Sequence, residues 1–131
     1  MDLTKGCLNW LKKSSVNKKF TIMKKYTFSA SHHLNLLPDG HPCANVHGHN
    51  YDVFVYVRKE VDNKFMWLVD FKEIDKEVKP IIAKLDHRHL NPILDVPTCE
   101  MIALFILEGL PEYVFKIRVS ETNKTWGEVE R

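Results

Sequence analysis

The chain has 131 residues, of which 44% are hydrophobic and 27% charged, as in a single globular domain with an ordinary core. Its formal charge is only +2, and outside the amino end the basic residues are mixed with acidic ones, so we expect no nucleic-acid partner. A small ligand that carries phosphate remains compatible with this charge. The three cysteines are irregularly spaced, which disfavours a disulfide framework and predicts a reducing, cytoplasmic compartment.

The amino end is polar and basic. Residues 1–19 include Leu8, Trp10 and Leu11 but no continuous apolar stretch, so we predict neither a signal peptide nor a membrane span. We interpret them as an amino-terminal extension, frayed or forming a short amphipathic segment, with Met23 as an alternative start. Residues 20–131 then form one domain, because no repeat or linker is visible.

The domain opens with a strand pattern. Apolar residues alternate with polar ones from Phe20 to Ala30, which predicts a half-buried strand. If the strand continues, His32 lies on the apolar parity and projects inward, while His33 points to the other face. His32 is therefore a candidate metal ligand.

A thiol and three imidazoles occur between His41 and Tyr51. His47 and His49 begin a second predicted strand, which runs to Lys59, and their alternate spacing directs both rings to one side of it. Cys43 lies on the preceding loop, where it is either a metal ligand or a nucleophile or base beside the metal. We interpret Cys7 and Cys99 as small buried apolar side chains.

The rest of the chain predicts an α+β domain with antiparallel strands and two helices on one face. One helix begins after the N-cap Asp70 and is kinked or divided at Pro80, and another begins after the N-cap Thr98 and ends at Gly109. The other predicted strands, of which the first is a hairpin partner, span 65–69, 114–121 and 125–129.

Polar groups mark the ends of these elements. Asp86 and His87 follow the first helix, where they are either a solvated loop pair or a carboxylate that tunes an imidazole for proton transfer. Glu121 lies on the apolar parity of its strand and needs a hydrogen-bonding partner or a ligand. Each histidine alone also fits a hydrogen-bonded core or surface residue, but three imidazoles together leave the open position of a catalytic zinc site.

Six ordered motifs resemble the 6-pyruvoyl-tetrahydropterin synthase family, and most of all its bacterial branch, the 6-carboxy-tetrahydropterin synthases of queuosine biosynthesis. The resemblance runs from about Phe20 to the end of the chain. The motifs are FSASHHL at 28–34, Cys43 followed after three residues by HGHNY, VDF at 69–71, LDH at 85–87 with Leu90-Asn91, PTCE at 97–100, and VSET at 119–122.

This resemblance implies a tunnelling fold, in which each subunit supplies a four-stranded antiparallel sheet with two helices to an oligomeric barrel, usually a hexamer of two trimers. It implies that Cys43 accepts a proton and that Asp86 and His87 relay protons, with the active site between subunits. It also implies two ligand-binding sets: the zinc ligands His32, His47 and His49, and the pterin-binding residues Glu121, Thr98 and Glu100.

The implied substrate is 7,8-dihydroneopterin triphosphate. The bacterial branch converts it to 6-carboxy-5,6,7,8-tetrahydropterin with release of triphosphate and acetaldehyde, whereas the biopterin branch retains the side chain as 6-pyruvoyl. The short spacing between Cys43 and His47 favours the bacterial branch. His33 stands where the family often has arginine. A hypothesis of another class is a zinc- and pterin-binding module without catalysis.

Overall fold

The structure is a computed structural model that describes residues 3–14 and 18–131. It has the predicted α+β architecture. Three helices are described, namely α1 (Leu3–Ser14), α2 (Phe71–Ala83) and α3 (Cys99–Glu108). Five strands are described, namely β1 (Ile22–His32), β2 (His47–Val57), β3 (Arg88–His89), β4 (Val114–Thr122) and β5 (Thr125–Glu130).

The strands form one mixed sheet in the order β3-β1-β2-β4-β5. Its four long strands are antiparallel neighbours, as expected, and the two-residue strand β3 adds a parallel pairing to the outer edge of β1. Two backbone hydrogen bonds fix this edge, because His87 N donates to Ser29 O and Leu90 N donates to Ser31 O. The sheet is therefore five-stranded and mixed rather than four-stranded and antiparallel.

One face of the sheet forms the core. The buried side chains on this face alternate along the strands, as in Tyr51, Val53 and Val55, because successive strand residues point to opposite faces. Ile74 and Val78 of α2 and the apolar side of α3 complete the same buried cluster. Both helices begin at the predicted caps, since the side chain of Asp70 accepts from Lys72 N and that of Thr98 accepts from Met101 N.

The predicted strand at 65–69 is wrong. Among the described residues this segment forms only an isolated bridge between Asp62 and Trp67, with Met66 in a left-handed backbone conformation (φ 61°). The side chain of Asp62 also accepts from Lys64 N, which tightens the turn. The aromatic and apolar residues here resemble a strand in composition, but the turn leaves too little extended chain for a ladder.

Pro80 does not divide α2, which is a single helix from Phe71 to Ala83. Proline removes the backbone bond to the carbonyl four residues earlier, here that of Lys76. Lys76 and Pro80 are both exposed, so water can satisfy that carbonyl at little cost.

The segment that precedes the sheet includes a helix of its own, α1, which is rich in lysine toward its end. Our interpretation of residues 1–19 as an extension left their structure open, and residues 1–2 and 15–17 lie outside the described part. No helix among the described residues is both long enough and apolar enough to cross a membrane.

Candidate metal centre and active site

Three imidazoles meet where β1 ends and β2 begins. The antiparallel register pairs His32 with His47 and Ala30 with His49, so the three rings project from adjacent positions on the core face. Their ligand nitrogens all lie within 4.8 Å of one another, and Nε2 of His32 is 3.0 Å from Nε2 of His47. The structure thus brings together the three histidines that the sequence analysis gave as candidate metal ligands.

Backbone carbonyls set the orientation of two of these rings. Nδ1 of His32 donates to the carbonyl of Pro97 at 2.7 Å, and Nδ1 of His47 donates to that of Asn45 at 2.7 Å. A carbonyl can only accept, so each Nδ1 carries the proton and each neutral ring leaves Nε2 bare. Such outer contacts are typical of metal-ligating histidines.

The facing Nε2 atoms need a cation between or beside them. Two lone pairs at 3.0 Å repel each other unless a proton or a metal ion lies there, and Nε2 of His49 is buried without a hydrogen-bonding partner. Burial lowers the pKa of His32, although the Pro97 carbonyl and Glu121 oppose this effect, and a lowered pKa disfavours the proton. The three residues therefore fit a divalent metal ion with imidazole ligands.

A buried tyrosine supports the histidines from the core side. Tyr51 is fully buried, stacks on Phe28 with ring centroids 4.9 Å apart, and places its hydroxyl 3.2 Å from Nδ1 of His32. Its ring also packs edgewise on His32 and His49. The sequence analysis gave Tyr51 no role at this site and so missed its supporting contact.

Glu121 reaches the same place from β4. Its carboxylate oxygens lie 3.5 Å from Nε2 of His49 and 3.8 Å from Nε2 of His32, and its side chain is only about one quarter exposed. The Glu121 carboxylate also lies close enough to the Cys99 thiol to raise the pKa of that thiol. The carboxylate that the strand pattern placed on an apolar face thus meets the imidazoles and one thiol.

Cys99 is the residue of this region that sequence reasoning missed, since we interpreted it as a small apolar core side chain. It opens α3 and is half-buried. Burial and the Glu121 carboxylate raise the pKa of its thiol to about 12, so at neutral pH it is a neutral thiol rather than a nucleophile. The available signal was its position between Thr98 and Glu100 in the PTCE motif.

A close approach of β5 to the start of α3 holds this region together. A Cβ atom built on Gly127 would lie 2.7 Å from Oε1 of Glu100 and 3.1 Å from Cβ of Cys99. A side chain at this position would therefore force the start of α3 to shift by a few tenths of an ångström. The side chain of Thr98 caps α3. The exposed side chain of Glu100 lies against Gly127 of β5.

Cys43 lies in a short 3-10 turn, Pro42–Ala44, between β1 and β2. Its backbone NH donates to Nδ1 of His41 at 3.1 Å, and its carbonyl accepts from Leu34 N at 2.8 Å, which ties the turn to the chain just after His32. The thiol is half-buried, and no hydrogen bond joins it to the three imidazoles in the described part of the chain. His41, which the sequence left without a role, orients this turn.

Asp86 and His87 form a contact pair on the outer edge of β1. Oδ1 of Asp86 accepts from Ser29 N at 3.0 Å and lies 2.9 Å from Nδ1 of His87. The Ser29 hydrogen bond is the main cause of a lowered pKa of Asp86. His87 adopts a left-handed backbone (φ 58°), which turns these adjacent side chains toward each other, and its ring is 82% exposed.

An open groove of about 460 Å³ lies at this edge of the sheet, and Ser31 of β1, Asn50 of β2 and His87 are among the residues that line it. His89 also lines the groove, and its ring stacks on that of His33 with centroids 5.4 Å apart. Asn91 holds His33 by accepting from its backbone NH and donating to its carbonyl. His33, at the position often occupied by arginine in the family, is thus fixed beside the groove.

Comparisons with known proteins agree with these features. The chain is 36% identical over 108 residues to a putative 6-carboxy-5,6,7,8-tetrahydropterin synthase of Archaeoglobus fulgidus, an alignment that covers 80% of this chain and 90% of the relative. It is also 36% identical over 92 residues to a dihydroneopterin monophosphate aldolase of Pyrococcus furiosus, covering 70% of this chain and 75% of the relative.

A solved structure shares the fold. The 6-pyruvoyl tetrahydropterin synthase of Caenorhabditis elegans superposes with a TM-score of 0.78 at 28% identity, covering 86% of this chain and 96% of the other. The family model for 6-pyruvoyl tetrahydropterin synthase matches residues 21–131, which include all the site residues described above. The resemblance inferred from the motifs is confirmed, and the chain belongs to the 6-pyruvoyl tetrahydropterin synthase family of pterin-processing enzymes.

Proposed function

We propose that this protein is a zinc-dependent lyase that converts 7,8-dihydroneopterin triphosphate and water to 6-carboxy-5,6,7,8-tetrahydropterin, with release of triphosphate and acetaldehyde. The observation that carries the proposal is the convergence of three histidine nitrogens within 4.8 Å, next to the Glu121 carboxylate. The Archaeoglobus fulgidus relative supports this choice within the family. Queuosine biosynthesis and a cytoplasmic location remain predictions that follow from the same choice.

His32, His47 and His49 would hold the zinc ion through Nε2. When bound, zinc supplies a Lewis acid that polarises oxygen atoms of the substrate side chain and acidifies the neighbouring C–H groups. The rings are already oriented for this task, because the Pro97 and Asn45 carbonyls fix the tautomers of two of them.

Cys43 is the proposed proton acceptor. The short turn that carries it is tied to both the end of β1 and the start of β2, so the thiol is held near the ends of the strands that supply the histidines. Asp86 and His87 are the proposed relay. The lowered pKa of Asp86 keeps its carboxylate ionised at neutral pH, where it can accept the Nδ1 proton of His87 and orient the ring for proton transfer.

Glu121 is the proposed anchor for the pterin ring. A carboxylate accepts two parallel N–H bonds from a guanidine-like edge, and the nearby Cys99 thiol, whose pKa is raised, adds no competing negative charge. We place Thr98 and Glu100 near the same pocket, at the start of α3. The half-buried position of Glu121 excludes part of the competing water.

We further propose a homo-oligomer, a hexamer of two trimers, with each active site between two subunits. The exposed ring of His87 supports this arrangement, because a relay group that is 82% exposed in one chain is free to reach a site on another chain. It also explains why no hydrogen bond joins the relay pair to Cys43 among the described residues.

The Pyrococcus furiosus relative favours a second candidate reaction, an aldolase that breaks a C–C bond of dihydroneopterin monophosphate. The 6-pyruvoyl reaction, in which triphosphate leaves and the side chain is retained, is the third. All three reactions require proton transfer at side-chain carbons next to a polarised oxygen. They differ in the bond that breaks and therefore in the product.

Product analysis tests these alternatives directly. The zinc-loaded protein is incubated separately with dihydroneopterin triphosphate and dihydroneopterin monophosphate, and the products are identified by mass spectrometry. We expect 6-carboxy-tetrahydropterin and acetaldehyde from the triphosphate, and no turnover by Cys43→Ala, which should still bind zinc. A 6-pyruvoyl product or cleavage of the monophosphate alone would replace the proposal with the corresponding alternative.

A non-catalytic zinc and pterin module is the hypothesis of another class. Chelation separates it from an enzyme, because a catalytic metal can leave an oligomer intact whereas a structural metal holds it together. We expect chelated protein to elute at an unchanged size from a sizing column and to regain turnover when zinc is restored. Unchanged substrates in every assay, with disassembly on chelation, would favour the module.

A further inference from the structure

A second concave site lies at the opposite end of β2 from the histidines. A pocket of about 590 Å³ is bounded by α1, by the residues that lead into β1 and by the chain that follows β2. His49 and Val57 are eight strand residues apart, which corresponds to about 26 Å along an extended chain. This pocket is thus separate from the candidate active site.

Positive charge dominates the pocket. Its lining includes a single carboxylate, Glu60, and five cationic residues, namely Lys12, Lys18, Lys19, Arg58 and Lys59. In the described part of the chain none of these five forms an ion pair. Like charges gathered around one concavity repel each other, and a bound anion would relieve that repulsion.

Part of this charge is held in place. Nε of Arg58 donates to the Thr21 hydroxyl at 3.0 Å, and its guanidinium lies over the Phe115 ring at 4.0 Å. Lys59 lies over the ring of Tyr113 at 5.3 Å. These two cations are thus oriented by the sheet, while Lys12, Lys18 and Lys19 come from the exposed amino-terminal segment.

The pocket also has an apolar part, to which Leu11, Phe20 and Val61 contribute. The Phe20 ring is 44% exposed, so a planar group can stack on it. Five of the ten lining residues precede residue 21, where the match to the family model begins. The pocket therefore depends on a segment outside the family match.

We propose that this pocket binds an organic polyphosphate with an aromatic ring, the chemistry of a nucleoside triphosphate. The phosphates lie among the lysines and Arg58, and the ring stacks on Phe20. Arginine and lysine are the usual partners of phosphate oxygens, and stacking on an exposed aromatic ring tolerates different bases. The size of the pocket is within the range of small-molecule sites.

The test uses the full-length, zinc-loaded protein and calorimetric titration with ATP, adenosine and inorganic tripolyphosphate at physiological ionic strength. We expect saturable ATP binding with one site per chain, about tenfold weaker binding of tripolyphosphate and no detectable binding of adenosine. The double variant Lys12→Glu/Lys19→Glu should weaken ATP binding at least about tenfold. Lys72→Glu/Lys84→Glu, an equal charge change on exposed residues of α2 and its C-cap, should leave it nearly unchanged.

Amide chemical shifts locate the bound ATP independently of these variants. We expect changes at residues 18–20 and 58–63, with residues 47–50 unaffected. ATP-induced shifts confined to 47–50 would place the nucleotide in the active site and overturn the proposal. Equal weakening by the two double variants would overturn it as well, because the effect would then be one of overall charge. Equal affinity for ATP and tripolyphosphate would exclude recognition of the aromatic ring.

Discussion

At the scale of single residues, the candidate metal site depends on which nitrogen of each ring is free. The carbonyls of Pro97 and Asn45 occupy Nδ1 of His32 and His47, so both rings present Nε2 to the same point. His41 is the contrasting histidine, since its Nδ1 accepts from Cys43 N and its ring belongs to the turn. His41 and His47 thus have different roles, because the Nδ1 atoms of their rings have different hydrogen-bonding partners.

This contrast gives a prediction for zinc affinity. His47→Ala removes one of three imidazole ligands, so we expect a loss larger than the about 10- to 100-fold typical of outer contacts. Chelator competition measures it, with circular dichroism to verify the fold. His41→Ala is the matched control and should bind zinc like the wild type. Equal affinities of His47→Ala and wild type would show that His47 is not a ligand.

Cys99 gives a prediction for thiol reactivity. Because its pKa is raised to about 12, the reactive thiolate becomes abundant only as the pH approaches that value. We expect iodoacetamide to leave Cys99 nearly unmodified in the folded protein at pH 8. In urea the reagent should modify Cys99 rapidly, because a free thiol has a pKa of about 8.5. Peptide mass spectrometry measures the labelling of each cysteine. Rapid labelling of Cys99 in the folded state would contradict its assignment as a neutral thiol.

At the scale of elements, the contact between β5 and the start of α3 links the fold to the proposed pterin pocket. Gly127→Ala would put a methyl group 3.1 Å from both Cβ of Cys99 and the backbone N of Glu100. We expect a loss of about 1–3 kcal/mol in the free energy of unfolding, because a packed backbone cannot move aside as a flexible side chain can. Denaturant unfolding measures this loss.

The same substitution should affect substrate binding. A shift of Cys99 and Glu100 changes the surroundings of Glu121, so we expect KM to rise more than kcat falls. Gly6→Ala, at a helical position with open space around it, is the control and should leave both stability and kinetics nearly unchanged or slightly increase stability. An unaltered KM for Gly127→Ala would separate the packing contact from the pocket.

The elements differ in how far the sequence could predict them. Long strands and capped helices were predictable because alternation at Phe20–Ala30 and the caps Asp70 and Thr98 are local signals. The two residues of β3 have no periodicity to detect, and the turn at Met66 depends on backbone bonds that composition does not reveal. The alternation along β1 was enough to predict that His32 points inward. Cys99 and Glu121 are far apart in the sequence, so their proximity could be recognised only in the three-dimensional structure.

At the scale of the whole molecule, the proposed relay lies on the outer edge of β1 and is exposed. An active site shared between subunits predicts that two inactive variants complement each other. Cys43→Ala and His87→Ala, unfolded together and reassembled in equal amounts, should recover up to about a quarter of the wild-type rate, because each chain type fills half of the positions. Each variant reassembled alone is the control. No recovery by the mixture, with mixed oligomers verified, would place the whole site in one chain.

The left-handed backbone at His87 has a consequence for the evolution of this protein. A side chain in that conformation costs about 1–2 kcal/mol, although histidine, asparagine and aspartate tolerate it better than most, whereas glycine adopts it without steric cost. An imidazole that acts as the proposed relay at this position would therefore trade some stability for activity. Selection for thermal tolerance alone would favour His87→Gly, so laboratory evolution that ignores turnover should erode the proposed relay before it alters the core.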